Sequence, residues 1–196
     1  MTKWERPLLL ASVSLRRAAL LEAEGYAAIT TPPTVDDGLY ACGSMKADKW
    51  VQVLAVLKAR SVLEQAKVES GTILSADTVC VVDSQILGQP TNSSEAKEMI
   101  ESMTQRTHEV YTGWCLLSID KQHMLVGCEV VEISIGKIDE DEITKYAASG
   151  QWKGKAGGYN LSERIEAGWP VVCNGDQTSV MGLPMERLNQ ELSGDT

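Results

Sequence analysis

The stretch "LLLASVSLRRAALLEAEGY", residues 8–26, sets the type of architecture at the start of the chain. Its apolar run, Leu8–Ala11, predicts a buried β-strand. Residues 15–24 then place alanine and leucine among charged residues at the spacing of an amphipathic helix, and Gly25 follows where such a helix ends. A strand that passes through a serine-containing turn straight into a helix is typical of an α/β protein.

The rest of the chain mixes strands and helices without strict alternation, which favours a mixed β-sheet over a doubly wound parallel sheet. We see no internal repeat, and 196 residues suit one domain, 1–196, built of two tightly joined lobes. Further strands are predicted at the start of 27–38 and at 73–75, 79–82, 86–87, 107–120, 124–136 and 171–172. Further helices are predicted at 46–67, 91–103, 139–149 and 184–192, with serines as possible caps of the second and Gly150 after the end of the third.

The charge balance excludes whole classes of partner. The net charge is −9, whereas DNA, RNA and anionic membranes require a positive surface. A small polyanion is still compatible, because it needs only a local positive pocket. The five cysteines form no CxxC pair, the two histidines cannot build a His-rich metal site, and no apolar segment approaches the length of a membrane helix. We therefore expect a cytoplasmic protein with reduced thiols that binds neither nucleic acid nor membrane.

The turn "SVSLRR", residues 12–17, is a candidate anion site. The first turn of a helix leaves backbone N–H groups unpaired, and the helix dipole adds positive potential there. Ser12 and Ser14 add hydroxyl donors, and Arg16 and Arg17 add forked, charged donors suited to phosphate oxygens. The alternative is that the serines only cap the helix and the arginines lie in solvent.

Carboxylates form the second group of candidates. Asp77 in "SADTV" follows a strand-like run, which places it at a predicted strand end, where it could bind Mg²⁺, hold a water molecule or act as a base. Asp36 and Asp37 in "VDDG" could bind a hard cation. The alternatives are a turn aspartate bonded to its own backbone for Asp77 and a solvated loop for the pair.

Two lysines complete the candidates. Lys58 lies in the apolar helix "LAVLKARSVL", from which it either extends outward into solvent or points into a cleft. Lys155 in "WKGKAGGYN" lies beside glycines that allow close approach of backbone to a ligand, or it belongs to a plain loop. No candidate decides the function alone, but their order along the chain is informative.

Taken in that order, the motifs resemble the Maf family, whose members are nucleoside triphosphate pyrophosphatases. "LLLASVSLRR" resembles the family's LASxSPRR, "LAVLKA" its LAxxKA helix, and "SADTVCVVDSQILGQP" its ADTvv…dgeiLgKP segment. "THEVYTG", "YAASGQWKGKAGGYN" and "GDQTSVMGLPMERL" resemble its THxVxTG, YxxSgeplxKAGaYgiQ and closing GdxxnVvGLPlxxL segments. The similarity extends over nearly the whole chain.

The resemblance implies a two-lobed α/β fold, similar to the ITPase fold, with a long central mixed sheet flanked by helices and a cleft between the lobes. It implies hydrolysis of the α–β phosphoanhydride of a nucleoside triphosphate to the monophosphate and pyrophosphate. By motif, Arg17 and Lys58 would bind the triphosphate, and Asp77 would be the proton acceptor. Mg²⁺ or Mn²⁺ would lie on Asp37 and Asp77.

Base choice depends on other positions. Arg16 and Thr78 resemble the branch of the family that prefers dTTP and UTP. Ser162 stands where that branch carries glutamine, so the resemblance leaves the base open, and a modified nucleotide is a further option. Ser12 and Ser14 are expected to contact the same substrate.

Other positions also depart from the family pattern. Leu15 replaces a proline of the opening motif, and Gln89 replaces the lysine of the GKP motif. One expected phosphate-binding charge is therefore missing, although Lys155 of the KAG motif, or Lys153, could compensate. The alternative hypothesis is a catalytically weak nucleotide-binding regulator of cell division. Relatives in this family commonly form dimers, so a homodimer is a further expectation.

Overall fold

The computed structural model describes residues 4–35, 40, 42–120 and 122–193. Within these ranges the strands are β1 (Leu8–Ala11), β2 (Ala28–Thr30), β3 (Thr72–Val82), β4 (Gln85–Leu87), β5 (Arg106–Ser118), β6 (Met124–Ile135) and β7 (Val171–Asn174). The helices are α1 (Leu15–Ala23), α2 (Ala47–Gln65), α3 (Ser93–Met103), α4 (Glu140–Ser149), α5 (Leu161–Glu166), α6 (Gln177–Val180) and α7 (Met185–Ser193).

The strands form one mixed sheet, which confirms the predicted fold class. The strand order is β2-β1-β3-β5-β6-β7, and β4 pairs with the far end of β3. Strand β1 is parallel to both β2 and β3, whereas the pairs from β3 onward are antiparallel. The parallel pairs need crossover connections, and α1 and α2 supply them. No helix in the described part of the chain is both long and apolar enough to cross a membrane.

Side chains of β1 enter two different cores, which explains why the whole strand is buried. Leu10 packs in a core with Leu21 of α1 and Leu188 of α7. Leu9 points to the opposite face and packs in a core with Ala59 of α2, as the two-residue period of a strand requires. The sheet is therefore covered on both faces near its parallel edge.

A third core lies farther along β3. Its members from that strand are Cys80 and Val82, and α3 and α4 cover them. The preceding apolar residues of β3, Ile73, Leu74 and Ala76, belong to the other two cores. Asp77 and Thr78 consequently lie at the boundary between the cores, where the strand is not covered by a continuous apolar layer.

The predicted shape of β3 was wrong. The sequence pattern predicted two short strands, at 73–75 and 79–82, with Asp77 at the end of the first. The structure has one strand of 11 residues, in which Asp77 lies opposite Gly113 of β5. Two of its polar residues, Ser75 and Asp77, do not interrupt the strand, because each has a buried partner on α2. The Ser75 hydroxyl donates to the Ala55 carbonyl at 2.6 Å, and Asp77 pairs with Lys58.

Helix α2 lies unusually close to the sheet because Gly113 has no side chain. A Cβ atom at this position would lie 2.4 Å from the backbone carbonyl carbon of Val51. The hydrogen bond from Ser75 to the α2 backbone is possible only at the same short separation. Gly113 thereby sets the distance at which α2 presents its side chains to β3.

Two short helices near the C-terminus were not predicted, and one cap was assigned to the wrong residues. Helix α3 is capped by Asn92, whose side chain accepts from the backbone N–H of Glu95, and not by the serines that follow. Helices α5 and α6 have only 6 and 4 residues, too few for a hydrophobic period to be visible.

The five cysteines are free thiols, as expected, with Cys80 and Cys115 buried.

The glycine contact yields a stability prediction. We expect Gly113→Ala to lower the free energy of unfolding by about 1–3 kcal/mol, because helix backbone cannot rotate away from the new methyl group. Urea denaturation measures the change. Gly88→Ala is the matched control, since a Cβ there meets nothing within 4 Å. Equal stabilities of the two variants would contradict the role of Gly113 as a spacer.

Candidate active site

A cleft of about 650 Å³ opens over the middle of β3, at the boundary between the cores. The β1–α1 turn, α2, β3, the loop before α5 and the segment after α6 all contribute to its walls. The structure brings these predicted site residues to the cleft: Ser12, Ser14, Arg16, Arg17, Lys58, Asp77 and Thr78. Residues far apart in the sequence therefore line one cavity.

The two serines of the β1–α1 turn organise the start of α1. Ser14 is the N-cap, and its hydroxyl accepts from the backbone N–H of Arg17 at 3.4 Å. The Ser12 hydroxyl accepts from the backbone N–H of Ser14 at 3.1 Å. Both serines also line the cleft, so capping and exposure to a ligand are not alternatives here.

Arg17 is held in place by three elements of the protein. Its Nε donates to the Gly182 carbonyl at 2.9 Å, and its Nη2 donates to the Thr78 hydroxyl at 3.3 Å. Its Nη1 lies 3.5 Å from the Ser12 hydroxyl, which it reaches as a donor. The guanidinium is half-buried and is therefore not a freely solvated group.

Arg16 contributes a second cation to the same turn. Its Nη2 donates to the Gly154 carbonyl at 3.1 Å, which ties α1 to the loop before α5. The first turn of α1 contains no acidic residue. Two cations therefore add to the positive end of the helix dipole, an arrangement that is unfavourable for folding and attractive to an anion.

Lys58 and Asp77 form a buried ion pair at the base of the cleft. The Nζ–Oδ1 distance is 2.6 Å, and the two residues are 6% and 7% exposed. Lys58 therefore does not extend outward into solvent. The desolvation of two charges is costly, and their mutual attraction offsets it only because the geometry is short and direct.

Hydroxyl groups connect the floor of the cleft to the C-terminal part of the chain. The Thr78 and Thr112 hydroxyl oxygens are 2.9 Å apart, and Thr112 donates to the Ser179 carbonyl at 2.8 Å. Thr112 is fully buried. Because Thr78 also contacts Arg17, this chain of bonds fixes the floor relative to α6.

The remaining predicted residues have different surroundings. Lys155 is buried, and its ammonium group pairs with the Glu163 carboxylate. The Ser162 hydroxyl donates to Asn160 Oδ1 at 2.8 Å. Gln89 is exposed and lines the cleft.

A hard cation is compatible with the groups in the cleft. Asp37, one of the two expected metal ligands, lies outside the described residues. Within the described residues no cluster of three or more metal-ligating side chains occurs, and Asp77 supplies a carboxylate to the cleft. Mg²⁺ commonly binds to one or two carboxylates together with substrate phosphates, so this donor set fits a metal that arrives with a nucleotide.

A buried pair behind the cleft was missed by the sequence analysis. Tyr159 lines the cleft, and its hydroxyl lies 2.8 Å from His108 Nε2, with the two rings edge to face. Burial lowers the pKa of His108 to about 4 and raises the pKa of Tyr159 well above its usual value. Both groups are therefore neutral near pH 7.

Asn160 and Met181 are further residues of the cleft that sequence reasoning did not single out. One signal was available for Asn160. An asparagine three positions before a glutamate, here Glu163, is the pattern of a helix N-terminus, and it marks the start of α5. No comparable pattern indicates Met181, which reaches the cleft because of the turn that follows α6.

The hydroxyl chain yields a second prediction. Thr112→Val keeps the shape of the side chain but leaves the Ser179 carbonyl and the Thr78 hydroxyl without this partner. We expect the free energy of unfolding to fall by about 1–3 kcal/mol in urea denaturation. Thr107→Val on the same strand is the control, because its bond to Ser134 is exposed and its loss should cost below about 0.5 kcal/mol. Equal losses of unfolding free energy in the two variants would show that the buried hydroxyl chain stabilises the fold no more than the exposed bond does.

The depressed pKa of His108 yields a third prediction, on pH dependence. Between about pH 6.5 and pH 4, His108 binds a proton in the unfolded chain but not in the folded protein. The free energy of unfolding therefore falls as the pH falls. Between pH 7.5 and pH 5, we expect the wild-type protein to lose about 1–2 kcal/mol more than His108→Gln. Thr107→Val, at an exposed position of the same strand, removes no titratable group and should keep the wild-type pH dependence. A His108 variant with an unchanged pH dependence would contradict this assignment.

Known proteins are similar to this chain over nearly its whole length. Residues 7–194 match the family described as Maf-like protein. The dTTP/UTP pyrophosphatase of Rhodopirellula baltica is 35% identical over 186 residues, which cover 94% of this chain and 80% of that protein. The dTTP/UTP pyrophosphatase of Ruminiclostridium cellulolyticum is 35% identical over 187 residues, covering 95% of each chain. That of Bacillus cereus (strain AH820) is 36% identical over 187 residues, covering 95% of this chain and 94% of its own.

A solved structure, the nucleoside-triphosphatase or dITP/XTP pyrophosphatase of Mycobacterium abscessus, aligns with a TM-score of 0.42 and 13% identity. The alignment covers 67% of this chain and 73% of that chain, an overlap too partial to bear on the site. The match along nearly the whole sequence is sufficient by itself: the chain belongs to the Maf family.

Proposed function

We propose that this protein hydrolyses the α–β phosphoanhydride of a nucleoside triphosphate, releasing the monophosphate and pyrophosphate, with dTTP or UTP as the substrate. The observation that carries the proposal is a buried lysine–aspartate pair, Lys58 and Asp77, in one cleft with Arg16 and Arg17. Relatives of similar length that are named dTTP/UTP pyrophosphatases support it.

The cations of the cleft would neutralise the triphosphate. Hydrolysis of a phosphoanhydride requires that negative charge on the phosphate oxygens be stabilised and that a water molecule be positioned. Arg17 is suited to the first task because its guanidinium is fixed before the substrate arrives and presents charged donors in a planar fork. Arg16 and the hydroxyls of Ser12 and Ser14 add donors around the same turn.

Asp77 is suited to the second task. Lys58 donates to Oδ1, and this is the one hydrogen bond of the Asp77 side chain within the described residues. Oδ2 is therefore left to accept a proton from the attacking water. The oxygen of that water forms a new bond to phosphorus, and the bond to the pyrophosphate leaving group breaks. Lys58 holds the carboxylate in place and balances its charge.

A divalent cation, Mg²⁺ or Mn²⁺, belongs to the proposal. Asp77 would hold it, together with Asp37 and the phosphates of the substrate. It would supply a Lewis acid for the phosphate oxygens. A cytoplasmic location, a single domain over 1–196 and a homodimer complete the proposal, and the free thiols favour a reducing compartment.

A panel of nucleoside triphosphates with Mg²⁺ or Mn²⁺, read out by pyrophosphate release, tests the function. We expect turnover of dTTP or UTP. We expect Asp77→Asn to lower kcat by about 10²–10⁴-fold, because the amide still accepts from Lys58 but cannot take up a proton. Asp83→Asn, on the exposed β3–β4 turn, is the matched control and should keep wild-type activity. No turnover of any triphosphate by folded protein would overturn the proposal, and an unchanged kcat would remove Asp77 from the role of base.

Gln89 favours the second candidate, a nucleotide-binding regulator with weak catalysis. A neutral amide lines the cleft where the resembling motif has lysine, so the site has one cation fewer for the phosphates. Calorimetric titration separates the two functions. Nucleotide binding without pyrophosphate release would favour the regulator, and activity that appears only in Gln89→Lys would attribute the weakness to this position.

A further inference from the structure

Asn160 presents a fixed amide group at the wall of the cleft. The residue is 7% exposed, lines the cleft and is the N-cap of α5. Its side-chain oxygen accepts from the backbone N–H of Glu163 at 3.1 Å and from the Ser162 hydroxyl at 2.8 Å. Two bonds to one oxygen leave the amide little freedom to rotate.

These bonds also determine which end of the amide is the oxygen. A backbone N–H can only donate, so the atom that faces Glu163 must be the acceptor, Oδ1. The NH₂ group of Asn160, Nδ2, therefore points the other way. The orientation is set by the protein and needs no ligand.

The NH₂ group is open to the cleft. Within the described residues, Nδ2 of Asn160 donates no hydrogen bond, although the carbonyl end of the same amide is bonded twice. The fully buried polar atoms without a partner in that part of the chain belong to His108, Trp114 and Arg164, and Nδ2 is not among them. A pre-oriented donor thus faces the cavity with its hydrogen-bonding capacity unused.

The surroundings of Asn160 suit the base rather than the phosphates of a nucleotide. Two apolar residues of the cleft lining are near Asn160: Leu161 follows it in the chain, and Met181 contacts Ser162. The neighbouring Tyr159 hydroxyl is engaged with His108. The cationic end of the cleft is adjacent. The Met181 sulfur lies 3.8 Å from the Ser162 hydroxyl, and the carbonyl of the next residue, Gly182, accepts a hydrogen bond from Arg17.

From this geometry we infer that Asn160 reads the base: its NH₂ group donates a hydrogen bond to the carbonyl oxygen at position 4 of a bound pyrimidine. A donor at that position favours uracil and thymine, which carry an acceptor oxygen at position 4, over cytosine, which carries an amino donor there. The inference rests on the proposed function for the location of the triphosphate. Ser162 is a positioning residue, since it acts through Asn160 Oδ1 and not on the base.

Asn160→Asp is a direct test, because aspartate keeps the capping oxygen and replaces the NH₂ donor by an acceptor. The measured quantity is the ratio of kcat/KM for UTP to kcat/KM for CTP, in which any effect of the new charge on the shared triphosphate cancels. We expect the ratio to fall about tenfold or more, as for a buried group left without its partner. Asn160→Ser, which keeps a cap and removes the amide, should lower the ratio without favouring CTP.

Asn92→Asp is the matched control, because it makes the same change at the N-cap of α3, at an exposed position. It should keep the wild-type ratio. The inference is overturned if the wild-type protein does not distinguish UTP from CTP, or if both Asn160 variants keep the ratio within about twofold. If no triphosphate is hydrolysed, the proposed function fails separately, and the ratio of UTP to CTP dissociation constants from calorimetry tests Asn160 in the same way.

Discussion

The buried ion pair between Lys58 and Asp77 is the interaction on which the rest of the site depends. Asp77 is buried, so its carboxylate without Lys58 would cost far more free energy than a charge at the surface. The pair joins α2 to β3 at the boundary between the apolar cores. The cleft exists there because side chains at this boundary are polar, and none of the three cores extends across it.

The close approach of α2 to the sheet makes this pair possible. Gly113 removes a side chain from the strand opposite Asp77, and the Ser75 hydroxyl bonds to the helix backbone. A helix packed at the ordinary separation would place the lysine farther from the carboxylate. Small and polar residues in the sheet, which weaken a strand when considered alone, thus serve the site by bringing the helix close.

Much of this architecture is visible in the sequence, and the failures have definite causes. The strand and helix around the "SVSLRR" turn and the mixed sheet follow from hydrophobic periodicity. The position of Asp77 in mid-strand does not, because local pattern cannot show that Lys58, nineteen residues earlier, compensates for it. The candidates around the turn, α2 and β3 meet in one cleft. The N-cap pattern of Asn160 indicates only the start of a helix; that its amide lies at the cleft wall depends on the tertiary fold, and its orientation depends on the bonds to Ser162 and Glu163.

The bond from Arg17 to the Gly182 carbonyl joins residues 165 positions apart. During synthesis the chain emerges from its N-terminus, so the strand and helix that carry Arg17 are available long before its acceptor exists. Thr78 and Thr112 likewise reach their final partner only when Ser179 has been made. Two walls of the cleft therefore come together only after residues 179–182 have been synthesised, long after the strand and helix that carry Arg17.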